Sequence, residues 1–141
     1  MNDIKIIQDF ILENHLLTLA TINDNLPWCA SLFYAFDKNT NTLVVASDEK
    51  TKHIQDTKQN KNVSGTIAPQ TKQVSNIQGL QFRGKFYKNH DKNLKNIYFK
   101  KHPYALALNP TLWQIKLTYL KYTDNKIFFA KKLIIDLETS Q

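Results

Sequence analysis

The sequence is poor in residues that cross-link, punctuate and catalyse. Its one cysteine, Cys29, allows no internal disulfide, and a lone thiol fits a reducing compartment. Three glycines are too few for a glycine-rich phosphate loop or a dinucleotide fingerprint. No nucleophile elbow or Ser-His-Asp signature is present, and the carboxylates form no evident pair for general acid–base work. His90 and His102 have no cysteine or acidic partner at ligand spacing, which argues against a metal. No apolar run approaches the roughly 20 residues that cross a bilayer. The opening MNDIKIIQDF carries acidic residues and no signal-peptide core. Together these absences lead us to expect a cytoplasmic protein without metal or membrane attachment.

Arginine is also scarce: Arg83 is the only one among nineteen basic residues, in a chain of net charge +7. Arginine is the residue that most often reads bases or clamps phosphates with two hydrogen bonds. Scattered lysines instead give a basic surface that attracts a small anionic ligand, and no nucleic-acid partner is expected. The cluster Tyr98-Phe99-Lys100-Lys101 could imitate a base-stacking platform, but it reads more simply as the end of an amphipathic helix.

What is present is core material. With 42% apolar and 11% aromatic residues, the 141-residue chain has enough for one folded domain with a real interior. Helical spacing of Ile4, Ile7, Phe10 and Ile11 predicts a helix over Asp3–Asn14, capped by Asn2 or Asp3. Leu16–Ile22, Trp28–Phe36 and Thr42–Ala46 are β-favouring runs. They are separated by the turn formers Asn23-Asp24-Asn25 and Asp37–Asn41, so the chain opens as an antiparallel meander, the natural beginning of a barrel. Ser47 or Asp48 is placed to cap a surface helix from Glu49 to about Gln59.

Further strands are expected at Val63–Ala68 and Gly79–Tyr87, with Val74–Ile77 as an extended lead-in and, at Gly84, a bulge or the close approach of another backbone or a ligand. A polar helix over Asn89–Lys101 precedes a strand at Leu112–Thr123. There Trp113, Ile115, Leu117 and Tyr119 share one face, and Leu120 and Tyr122 take the opposite parity after a second bulge. Ile127–Ala130 and Leu133–Leu137 complete the series. The free N–H groups, hydroxyl and cations at Lys50, Thr51, Lys52 and His53 would suit a phosphate group, although carboxylates at Asp48 and Glu49 would repel it unless they turn away.

The order of these pieces resembles the pyridoxamine 5′-phosphate oxidase-like family of FMN-binding split barrels. The resemblance runs from a hairpin, through a strand ending in a small residue and Ser47, to Thr51-Lys52-His53 at a helix start. NVSGTIAPQ, GLQFRGKFY and LWQIKLTYLKYTDN follow where that family has its later strands, so the match spans Ile11 to Lys132. It is closest to a small bacterial branch of the superfamily. The resemblance implies a mainly β fold with flanking helices, an antiparallel split β-barrel. It also implies a homodimer with FMN between subunits, a flavin-dependent oxidoreductase activity of unknown substrate, or a non-catalytic protein that binds flavin, deazaflavin or haem.

Carried over residue by residue, the resemblance places the cofactor phosphate at Thr51, Lys52 and His53. The isoalloxazine edge falls against backbone groups of Cys29, Ala30, Ser31 and Leu32 and of Ala46 and Ser47. Gln78 and Gly79 would approach the flavin held mainly by the partner subunit. Trp113, Phe129 and Lys131 complete the implied cofactor set. Trp28 stands where pyridoxamine phosphate oxidases have a flavin-contacting arginine, and the basic residue after Lys52 is a histidine. Those departures imply a substrate other than pyridoxamine phosphate.

Overall fold

A computed structural model describes residues 2–125 and 132–138. The expected strand at 127–130, with Phe129 and Lys131, lies outside the described residues.

The first helix, α1 (Asp3–Glu13), starts where the Asn2 side chain accepts the Ile4 N–H at 3.2 Å, and it buries Ile7, Phe10 and Ile11. Next come β1 (Leu16–Asn23), β2 (Leu26–Asp37) and β3 (Thr42–Ala46). The β1–β2 turn holds Asp24 and Asn25 at φ 52° and 60°, the left-handed pair that matches the twist of a tight hairpin. The second turn is closed by Asp37, whose carboxylate accepts the Asn39 N–H and the Thr40 hydroxyl. The remaining elements are α2 (Lys52–Gln59), β4 (Asn62–Ile67), β5 (Gln78–Lys88), α3 (Lys92–Lys101), β6 (Leu112–Asp124) and β7 (Lys132–Asp136). One 3₁₀ turn precedes β5 and another, Pro103–Leu108, follows α3.

All pairings are antiparallel, in the order β3-β2-β1-β4-β5-β6-β7, and β3 also pairs with β6. That last ladder closes six strands into a barrel and leaves β7 outside on β6. Leu19, Leu43, Ile67, Leu80, Phe86 and Ile115 fill the interior, joined by α1 and by Ile54 of α2. α3 covers a smaller apolar cluster on the outer side, around Ala35, Val44 and Leu112. The fold class is therefore the expected split barrel. No helix among the described residues is long and apolar enough to cross a membrane.

Three local expectations change. Val74–Asn76 forms a 3₁₀ turn rather than an extended lead-in. Val74 is 82% exposed with no partner strand, and the short-range bonds Asn76 N–H to Gln73 O and Ile77 N–H to Val74 O close the chain on itself. α2 begins at Lys52 with Thr51 as N-cap, later than Glu49. Asp48 spends its carboxylate on the Lys50 N–H at 2.8 Å, and its carbonyl accepts the Thr51 N–H at 3.1 Å, so a turn precedes the helix. In β6 the register shifts against β5 between Arg83 and Gly84, leaving Thr118 without a partner residue on β5. Tyr119 thereby joins the outer face under Arg83, whose guanidinium lies 4.5 Å from its ring centre, instead of the inner face with Leu117.

Candidate functional site

The barrel is split along β2. This strand pairs with β1 over its whole first part, Leu26–Phe33, but meets β3 only from Tyr34 to Asp37. The Tyr34 N–H donates to the His15 carbonyl on the β1 side. By the alternation of an antiparallel ladder, the N–H and C=O groups of Cys29 and Ser31 therefore point away from β1, along an edge that no described strand pairs. Cys29 and Ser31 are exposed, Ala30 and Leu32 half-buried, and the Trp28 ring is 48% exposed beside them.

β3 leads from the other bank of the split into the turn before α2. Ala46 pairs with Leu112, and the Ser47 N–H donates to the Thr111 carbonyl at 3.1 Å. The Ser47 carbonyl accepts the Trp113 indole N–H at 2.8 Å. Trp113 is itself 4% exposed and stacked on Phe86, so its ring anchors the turn from within the core. Both backbone groups of Ser47 are thus already engaged. Its hydroxyl lies 2.7 Å from His53 Nε2, and the Thr51 hydroxyl donates to the Asp48 carbonyl at 2.8 Å. Burial lowers the His53 pKa, an effect opposed by the nearby Asp56 carboxylate. His53 is therefore a neutral ring bonded to Ser47, not a cation facing solvent.

Besides the exposed Lys50, Lys52 is the cation that remains at the helix start. Its ammonium lies 2.6 Å from Asp56 Oδ1 and 5.9 Å from the centre of the Trp28 ring, and its side chain is 53% exposed. Asp56 is 1% exposed and also accepts the Thr21 hydroxyl at 2.9 Å, and its pKa is lowered chiefly by the Lys52 hydrogen bond. The carboxylates that could repel an anion are occupied: Glu49 pairs with Lys88 at 2.8 Å and lies 3.9 Å from Lys58, while Asp48 closes its own turn. A groove of about 490 Å³ runs beside this turn between Ala46–Glu49 and Leu108–Thr111.

Cys29–Leu32, Ala46–Ser47, Thr51, Lys52 and His53 therefore meet around one split. Gln78 and Gly79 do not join them. The Gln78 amide donates to Asp124 at 3.0 Å, and Gly79 meets no other described residue at the Phe33–Leu16 level of the sheet. It lies three strand spacings from β2, one row beyond Leu32 and four beyond Cys29, or about 15–20 Å along the sheet. Asp56 and Thr21 escaped the sequence reading; the Lys52–Asp56 spacing of four on a helix was the available signal, since that spacing pairs opposite charges. Among the described residues no group of three or more His, Cys, Asp or Glu could hold a metal ion.

Solved structures share this architecture. The heme binding protein from Mycobacterium smegmatis superposes with a TM-score of 0.82 at 10% identity, over 98% of this chain and 59% of that one, so the chain spans about six-tenths of its length. A FAD-binding protein from Mesorhizobium loti gives 0.66 at 18% identity, over 80% and 88% of the two chains. A putative pyridoxamine 5′-phosphate oxidase from Listeria innocua gives 0.71 at 12% identity, over 86% and 98%. The fold is thus that of the pyridoxamine phosphate oxidase-like split barrels. No family model matches the sequence. Among curated proteins, the UPF0306 protein of Klebsiella pneumoniae (strain 342) is 33% identical over 136 residues, covering 94% of this chain and 92% of its own. A UPF0306 protein of Yersinia pestis is 33% identical over 135 residues with the same coverage. With a third of its residues identical over nearly its full length, the chain belongs to the UPF0306 family.

Proposed function

We propose that this protein binds FMN at the split of its barrel and acts as a flavin-dependent oxidoreductase of the cytoplasm. The observation that carries this reading is the unpaired edge of β2 at Cys29 and Ser31, facing a turn and helix start that present Lys52. A planar heterocycle with alternating donors and acceptors matches such an edge without needing special side chains. The phosphate would take the half-exposed Lys52 ammonium, with Thr51 at the helix start. Ser47 and His53 would hold the turn in shape through their mutual hydrogen bond. Bound there, the flavin would supply the hydride chemistry, and the chain would bind and orient it. The groove beside Ala46–Glu49 offers space for a substrate.

The dimer belongs to the same reading. In this reading Gln78 and Gly79 approach the flavin bound by a second copy, since they lie three strands away from the split of their own subunit. The experiment is titration of the purified protein with FMN, followed by absorption and flavin fluorescence. Binding that weakens about tenfold or more in Lys52→Ala supports the reading, as loss of a charged hydrogen bond should. A protein that leaves FMN free at high micromolar concentration sinks it.

A second reading, a protein that binds flavin, deazaflavin or haem without turnover, is favoured by the absence among the described site residues of a free acid–base pair. His53 is engaged by Ser47, and Asp56 by Lys52 and Thr21. The haem-binding neighbour from Mycobacterium smegmatis adds haem to the ligands to be titrated. Bound flavin that dithionite reduces and NAD(P)H does not would decide for this second reading.

A further inference from the structure

Asp56 is a buried carboxylate to which the cofactor reading gives no part. It lies 1% exposed on the inner side of α2. Oδ1 accepts the Lys52 ammonium at 2.6 Å and Oδ2 accepts the Thr21 hydroxyl at 2.9 Å. A carboxylate so deeply placed is tolerable only when its lone pairs are satisfied, and here donors from both α2 and β1 do so. Asp56 is thus a fixed point. Lys52 is its mobile partner, a flexible stem whose half-exposed ammonium would otherwise sample many rotamers. With one N–H on Asp56 and the Trp28 ring 5.9 Å away, that ammonium keeps two donors for a ligand arriving from solvent.

We propose that Asp56 is a positioning residue that acts through Lys52, holding its ammonium beside Trp28 so that it meets the phosphate of a flavin nucleotide already oriented. This rests on the reading that Lys52 contacts the phosphate. Two effects oppose each other. The Asp56 charge repels an anion, while its hydrogen bond spares the ligand the cost of ordering a long side chain. The repulsion is the weaker one, because the carboxylate sits behind an ammonium that neutralises it at 2.6 Å.

The test compares dissociation constants for FMN and riboflavin on the full-length protein, since the two share a ring system and differ by the phosphate. The wild type is expected to prefer FMN at least about tenfold, and Lys52→Met to abolish the preference. Asp56→Asn is expected to cut the preference about fivefold at unchanged riboflavin affinity, and to change nothing further in the Lys52→Met background. Thr21→Val, isosteric and out of ligand reach, loosens the carboxylate's seat and should halve the preference or more; it serves if Asp56→Asn does not fold. A preference that persists or grows in folded Asp56→Asn, or in Thr21→Val where the first variant does not fold, overturns the positioning role alone. Equal loss of FMN and riboflavin binding makes Asp56 merely structural. A wild type indifferent to the phosphate overturns the Lys52 reading and this role with it.

Discussion

A methyl group added at Gly65 would collide with the Phe82 ring and the Thr18 carbonyl oxygen, and one added at Gly84 would meet Ile115 Cγ2 at 2.7 Å and the Lys116 carbonyl at 2.8 Å. Both glycines are required by close approach inside the barrel wall. Gly79 has no other described residue within 4 Å of a methyl group added in the same way. Gly65→Ala should therefore cost about 1–3 kcal/mol of stability, as overpacking of a filled core does. Thermal melting would read this as a fall of several degrees. Gly79→Ala should leave melting within about 0.5 kcal/mol of wild type, so any loss of flavin binding there reports a ligand or a second subunit. His53 gives a pH signature at the same scale. Its folded pKa lies below the ordinary 6.5 because burial disfavours the charged ring. Between that depressed value and 6.5 the unfolded chain takes up a proton that the folded chain refuses, so this residue's contribution is complete above pH 6.5 and is lost as pH falls. The slope is at most about 1.4 kcal/mol per pH unit. Denaturant melts of His53→Gln across pH 5 to 7 should be flatter than wild type by up to that amount; parallel curves would remove His53 as their source.

At the scale of elements, β6 shows what alternation reveals and where it stops. The parity change between Leu117 and Leu120 announced a bulge, and Thr118 is the residue without a partner on β5. The pattern did not say which side Tyr119 would take, because that depends on the register against the neighbouring strand β5. Deleting Thr118 would remove only the bulge: Leu117 stays opposite Gly84 and Tyr119 opposite Arg83, every other side chain keeps its face, and that variant should still fold. Thr118→Ala keeps the backbone carbonyl that accepts the Leu137 N–H and should melt within about 1 kcal/mol of wild type. A deletion protein that fails to fold, read by circular dichroism, would contradict this account of the strand. The candidate site was legible to a similar depth. Cys29–Leu32 and Ser47–Lys52 were visible as strand edge and helix start. The inward turn of His53 was not, because its partner Ser47 lies six residues away across an irregular turn. Nor was the seat of Asp56 on Thr21, thirty-five residues away in sequence and on another element.

The whole molecule poses a question of surface. Where β1 and β2 pair, the outward positions, among them Thr18, Ala20, Ile22, Cys29, Ser31 and Phe33, carry no charge in a chain of net charge +7. An antiparallel sheet face left to water is normally polar and charged, whereas the centre of an interface is depleted of charge. Phe33 is 54% exposed and Leu16 48%, and no described helix covers this stretch. α1 and α2 pack on the inner side, and α3 reaches only the Phe33–Ala35 end, where His102 at its C-terminus lies edge-on to Phe33 at 6.0 Å. A second copy laid on this face would cover it. Light scattering should accordingly give a particle of about twice the 16.4 kDa chain mass. Ala20→Arg puts a long cation in the middle of the uncharged face and should yield a monomer whose FMN affinity falls at least about tenfold, because half of the contacts leave with the partner. Dissociation and loss of flavin would then follow the same protein-concentration curve. If instead the Ala20→Arg monomer binds FMN as tightly as wild type, the ligand lies within one subunit, and Gln78 and Gly79 drop out of the site.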